Sequence, residues 1–153
     1  MKVVYPAFPA DAKGLLNTAI NDPNPVMFFE HKQLYRSVYQ DVPKDYYTIP
    51  FGKASVIKKG NQVTIISFGA GVHWALETLA KNQEISADLI DLRTLQPLDT
   101  ETIFASVKKT NKVIILQEDS LFGGMSSDIS SLIMENCFEF LDAGKSSTRV
   151  WAK

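Results

Sequence analysis

Oxygen donors gather where the first helical stretch of this chain ends. The main-chain carbonyls of Ala19 and Ile20, with the side chains of Asp22 and Asn24, converge around one turn. Hard cations take such oxygen ligands. The same residues also suit an ordinary capped helix end, which is the commoner use of such a turn. Glu30-His31-Lys32 sets an acid, an imidazole and an ammonium in succession, as the charged edge of a site or as a solvated connector. Gly69-Ala70-Gly71 follows an apolar run and opens a helix, the place where dinucleotide folds hold phosphate. The third glycine of that fingerprint falls at Trp74, too bulky for close helix–strand packing, and no phosphate-loop lysine follows. A plain tight turn is the reading there, and also at Gly123-Gly124. His73 has no serine or cysteine nucleophile in a motif beside it, so it reads as a structural histidine. Glu118-Asp119 ends a strand, but no second acid or histidine has ligand spacing, so it reads as a solvated or capping pair. Cys137 lies in the apolar pattern of a helix and reads as core. None of these residues is assigned a catalytic role.

The elements that must position these groups follow from pattern. Residues 2–5 read as a strand. Pro9 and Asp11 suit the first turn of a helix, with Ala12, Leu15, Leu16, Ala19 and Ile20 on one apolar face. Asp22-Pro23-Asn24-Pro25 ends it, and 26–29 form a continuous apolar run, as in a strand covered on both faces. From 31 to 52 no period holds. Twenty residues without regular structure suit a crossing between domains better than a loop within one. Beyond 53 strands and helices alternate: strands at 54–57, 63–68, 87–92, 113–118 and 148–151, and helices at 72–81, 100–109 and from after Gly123-Gly124 to about 136. That order requires a largely parallel sheet covered on both sides. The link at 58–61 is too short for a crossover, so the strand before it runs antiparallel. Asp99 is a natural N-cap, Glu101 sits in the first turn, and Lys108 and Lys109 sit at the negative end.

Composition excludes several classes. At 153 residues, 45% hydrophobic and 22% charged, the chain is an ordinary globular one with a full core. A net charge of −1 gives no electrostatic footprint for nucleic acid or an anionic membrane surface. Apolar runs are of strand length, short of a membrane span. One cysteine excludes an intrachain disulfide and fits a reducing, cytoplasmic setting. No signal-like segment opens the chain.

Over residues 2–142 the sequence resembles the C-terminal part of the beta subunit of thiamine diphosphate-dependent 2-oxo acid dehydrogenases, of the branched-chain or pyruvate type. The resemblance is carried by Lys2-Val3-Val4-Tyr5-Pro6, Asp11-Ala12-Lys13-Gly14-Leu15-Leu16 and Asp22-Pro23-Asn24-Pro25. It continues through Phe28-Phe29-Glu30-His31-Lys32-Gln33-Leu34-Tyr35-Arg36, which is closer to the branched-chain form. Further on come Ile49-Pro50-Phe51-Gly52-Lys53-Ala54, Asp91-Leu92-Arg93-Thr94-Leu95-Gln96-Pro97-Leu98-Asp99 and Gly123-Gly124.

The resemblance implies that 1–36 are the tail of a pyrimidine-binding domain, 37–52 a connector, and 53–153 most of a transketolase C-terminal domain, an α/β/α sandwich. It implies an oxidoreductase, a heterotetramer of alpha and beta subunits serving a lipoyl-bearing acyltransferase core. The family's thiamine-activating glutamate and histidine lie upstream of Lys2, and its diphosphate and magnesium are held largely by the alpha subunit. The potassium ligands of the family map onto Ala19, Ile20, Asp22 and Asn24. Past Leu141-Asp142-Ala143 the sequence departs from the family, with Gly144-Lys145-Ser146-Ser147 in place of a proline-led segment. The expectation is a truncated subunit, inactive alone, whose uncovered Val3, Val4 and 26–29 favour self-association. The competing expectation is a free-standing α/β interaction module.

Overall fold

The structure, a computed structural model, describes residues 1–120, 122–142 and 148–150. Residues 143–147 and Trp151, named above, lie outside these. The chain runs β1 (Lys2–Val4), α1 (Pro9–Ile20), β2 (Val26–Phe28), α2 (Leu34–Ser37), β3 (Ser55–Lys58), β4 (Val63–Ser67) and α3 (Ala70–Lys81). It continues with β5 (Ala87–Asp91), β6 (Thr94–Gln96), α4 (Thr100–Thr110), β7 (Val113–Leu116), α5 (Met125–Cys137) and β8 (Thr148–Val150). None of these helices is long and apolar enough to cross a membrane.

The larger sheet has the order β3-β5-β4-β7-β8, with β4, β5, β7 and β8 parallel and β3 antiparallel. Successive strand residues face opposite ways, so each strand feeds two cores. Ile66, Ile90 and Ile115 pack with Ile103 and Val107 of α4 and Ile129 and Ile133 of α5. Ile65, Leu89 and Leu116 pack with Val72, Ala75 and Leu79 of α3. The result is a three-layer sandwich, and Cys137 is buried in its first core.

The antiparallel strand is the expected one, but it does not make a hairpin. β3 pairs with β5 and lies two positions from β4. Gly60 explains the hop. Its N–H donates to Asp88 Oδ1 at 2.7 Å, and a Cβ there would strike the Ser86–Ala87 backbone, so glycine alone lets the turn cross over the start of β5. The buried Asp88 also accepts from Ser106 Oγ at 2.7 Å and pairs with the Lys109 ammonium. Ser106 Oγ and Thr110 Oγ1 in turn each lie 2.7 Å from Thr64 Oγ1. This network satisfies the polar residues that the α4 face of the sheet buries.

A second sheet, β2-β1-β6, joins the first 28 residues to the sandwich. β1 and β2 are parallel, and β6 runs antiparallel to β1. Thr94–Gln96, outside the strands expected from pattern, is therefore also a strand. The Gln96–Pro97 bond after it is cis. Asp99 then caps α4 as expected: Oδ1 accepts from Thr102 N at 3.2 Å, and Oδ2 ties down Ala54 N at 2.9 Å.

α1 departs from its expected face. Asp11, Gly14 and Leu15 are buried, while Ile20 is 73% exposed and Leu16 half-exposed. The helix turns Gly14 toward the connector, where a Cβ would lie 2.7 Å from both Ile49 and Tyr47. Residues 43–49 are strapped to α1 through Ile49 N to Gly14 O, Tyr47 Oη to Ala10 O and Asn17 Nδ2 to Tyr47 O. The aperiodic stretch is thus an ordered strap held by side chains and main chain. β2 is not covered on both faces either. Met27 and Phe29 are half-exposed, whereas Val4, expected to need an absent partner, is buried within this chain.

Candidate functional site

Parallel strands place their carboxyl ends together, and ligands of α/β sheets bind outside that edge. Here Tyr5 follows β1, Phe29 follows β2, Phe68 follows β4, and Gln117-Glu118 follows β7. With Leu95, Asp119 and Met125 they line a cleft of about 470 Å3. Tyr5 is its centre, its ring 5.7 Å from Phe29 and 5.6 Å from Phe68. Burial, then the charge of Glu118, pushes the Tyr5 phenol up. Gln117 is a support: Nε2 donates to Ser120 O at 2.8 Å, and Oε1 accepts from Ser126 N at 2.8 Å, which ties the loop to the start of α5.

The glycine turn at this edge is full. Gly69 has φ +54°, and a Cβ there would lie 2.7 Å from the Tyr5 ring. The space that a phosphate would need is occupied by Tyr5, and Gly71 packs on Ser67 Oγ. His73 donates from Nε2 to Ala7 O at 2.7 Å, with its ring 5.0 Å from Phe8. It is a strut between α3 and the segment leading into α1. Both motifs serve the fold here, as a tight turn and a structural histidine.

Two pairings were not legible in the sequence. His31 Nε2 donates to Glu118 Oε2 at 3.0 Å, across 87 residues. Neither residue carried a signal toward the other, beyond each lying after a strand. Arg93, at φ +59°, sends Nε and Nη2 to the two oxygens of Asp11 at 2.9 and 2.7 Å. Its carbonyl accepts from Tyr5 N at 2.9 Å. Asp91, fully buried, accepts from Arg93 N through Oδ1, while Oδ2 has no hydrogen-bond partner. The Asp91–Asp99 segment is thus a weld between the two sheets.

The turn after α1 brings Ala19, Asp22 and Asn24 together. Asp22 N donates to Ala19 O at 3.2 Å, and Asp22 Oδ1 accepts from Asn24 N at 2.9 Å. Asp22 Oδ2 pairs with the Lys2 ammonium. That bond, then the one from Asn24 N, holds the Asp22 carboxyl below its usual range. The donors are all oxygens, as a hard cation requires, and Lys2 already supplies a positive charge to the carboxylate.

Residues 52–148 match the family model of the transketolase C-terminal domain, and residues 1–38 match that of the transketolase pyrimidine-binding domain. The chain belongs to the transketolase C-terminal domain family. It is 44% identical over 145 residues to the 2-oxoisovalerate dehydrogenase subunit beta of Bacillus subtilis, covering 94% of this chain and 44% of that protein. It is 46% identical over 145 residues to the pyruvate dehydrogenase E1 component subunit beta of Rickettsia conorii, with the same coverage. A solved split-gene transketolase, an inactive beta4 tetramer, superposes with TM-score 0.78 at 25% identity, covering 100% of this chain and 48% of its own. The chain therefore spans less than half the length of each of these relatives.

Thiamine diphosphate is the cofactor that a pyrimidine-binding domain and such relatives imply. The residues here do not fit its diphosphate end. Among the described residues, no three His, Cys, Asp or Glu side chains group to hold a metal ion, and the one glycine turn of suitable form is closed by Tyr5. What this transketolase-type domain offers instead is a rigid edge of aromatic and acidic side chains, welded to the end of the pyrimidine-binding unit.

Proposed function

We propose that this chain is part of the beta subunit of a thiamine diphosphate-dependent 2-oxo acid dehydrogenase, serving as scaffold and subunit contact. The parent reaction is oxidative decarboxylation of a 2-oxo acid with reductive acylation of a lipoyl group. Residues 1–36 close the pyrimidine-binding domain, 37–52 strap it, and 53–153 form the C-terminal domain. The observation that carries this reading is the identity of 44–46% to beta subunits over 94% of the chain, on both sides of the Arg93–Asp11 weld. Leu16, Ile20, Met27 and Phe29 leave an apolar surface open on the N-terminal unit. In the heterotetramer it is covered by further beta-subunit residues, and the alpha subunit, a second beta subunit and a lipoyl acyltransferase core are the partners. Ala19, Ile20, Asp22 and Asn24 form the potassium loop of that complete subunit, once Lys2 is drawn off Asp22.

The diphosphate cradle and the activating glutamate belong elsewhere in the parent, so the isolated chain contributes no thiamine chemistry. Calorimetric titration of thiamine diphosphate with magnesium into the isolated chain should show no stoichiometric heat. One-to-one binding of the cofactor would overturn the scaffold reading.

A further inference from the structure

The cleft at the carboxyl edge of the two sheets has walls of two kinds. Tyr5, Phe29 and Phe68 supply aromatic rings, with Tyr5 tilted by 33° to Phe29 and by 50° to Phe68, so the rings line the cleft without stacking flat. Met125 adds a polarisable thioether. Glu118 and Asp119 line the same cleft, and no lysine or arginine among the described residues does. These walls are open to a ligand, since Phe29 is 45% exposed and the Glu118 side chain 52%. Glu118 meets His31 through Oε2, and Asp119 Oδ1 accepts from Ser120 N. Each carboxylate therefore keeps its other oxygen for a ligand. Burial, then the charge of Glu118, pushes the Tyr5 phenol up, so the carboxylate acts on the aromatic wall and the two belong to one site.

Both walls favour positive charge. The face of an aromatic ring is its negative part, and it attracts a cation most where water is excluded. Two carboxylates disfavour an anion. A bare metal ion is no better suited, because it takes several oxygen or nitrogen donors, and among the described residues no three His, Cys, Asp or Glu side chains group to hold one. A cation whose charge is spread beneath methyl groups matches both walls, meeting the rings with its apolar surface and the acids with its charge. The volume, about 470 Å3, is that of a small-molecule site. We propose that this cleft binds a small quaternary ammonium compound, with its methyl groups against Tyr5, Phe29 and Phe68 and its charge balanced by Glu118 and Asp119. The inference rests on the walls of this cleft and does not depend on the dehydrogenase reading.

The test is a titration of the full chain with tetramethylammonium chloride, with tert-butanol as the neutral match of similar size, followed by methionine-methyl NMR. Met125 reports on the cleft, and Met134, 45% exposed further along α5, is the internal control. The proposal expects a saturable shift of the Met125 methyl with tetramethylammonium, none at Met134, and binding of tert-butanol weaker by about tenfold. Phe29→Leu and Glu118→Gln, both at partly exposed positions, should each weaken tetramethylammonium several-fold, and Glu118→Gln should leave tert-butanol unchanged. No saturable shift at Met125, equal binding of the cation and the alcohol, or unchanged cation affinity in both variants would each overturn it.

Discussion

Arg93→Ala should destabilise the chain by about 3–5 kcal/mol, the range for breaking a largely buried ion pair from one side. The pair qualifies, since the Arg93 and Asp11 side chains are only 20% and 10% exposed and the contact is bidentate. Removing the guanidinium leaves Asp11 enclosed beside Asp91, with the N-terminus of α1 as the remaining positive partner. The helix dipole offsets well under half of that loss. Alanine keeps a Cβ at φ +59°, so the backbone strain there is unchanged and does not offset the loss. Arg93→Lys should recover part of the loss, because a point charge cannot reproduce the fork. Urea unfolding of the three proteins checks this, and an alanine variant within 1 kcal/mol of the parent would refute the weld.

The second large effect is one of pH. Burial pushes the Asp91 carboxyl up to about 7, the bond from Arg93 N and the Arg93 charge oppose it, and Asp11 adds to it. In the unfolded chain the same group titrates near its ordinary 3.8. Between those two values the unfolded chain has released this proton while the native one retains it. The native state binds more protons there, so stability falls as pH rises through that window. At about 1.4 kcal/mol per pK unit the loss is roughly 4 kcal/mol. Asp91→Asn carries no such proton and should flatten the profile, gaining on the parent as pH climbs from 4 to 8. Its amide adds a donor beside the orphaned Oδ2 position, so the slope and not the absolute stability is the diagnostic. Parallel profiles for parent and variant would refute the assignment.

What the sequence made legible was local chemistry. Asp99 caps α4 because a carboxylate just before a helix meets unpaired N–H groups, and this is decided within four residues. The alternation of strand and helix likewise required a covered, mostly parallel sheet. Pairings set by tertiary packing were out of reach. Nothing in the Asp11 or Arg93 neighbourhoods names the other, 82 residues away, and His31 and Glu118 stand 87 apart. The route of β3 past β4 to β5 is set by Gly60 lying on a backbone that the local pattern does not reveal. The apolar period of α1 shows what a helix is able to bury. Whether Ile20 finds cover depends on residues beyond those it meets here. The Asp91–Asp99 segment combines both cases: its cap was readable, whereas its strand, its buried acid and its arginine clamp were not.

The central claim is that these residues form one part of a longer catalytic subunit. It is tested most directly by sequencing the native transcript upstream of the codon for Met1. The account predicts an open frame continuing without a stop through the rest of a pyrimidine-binding domain, with a glutamate positioned to activate thiamine. An in-frame stop immediately upstream, with Met1 as the native start, would contradict it and would make the chain a free-standing α/β module.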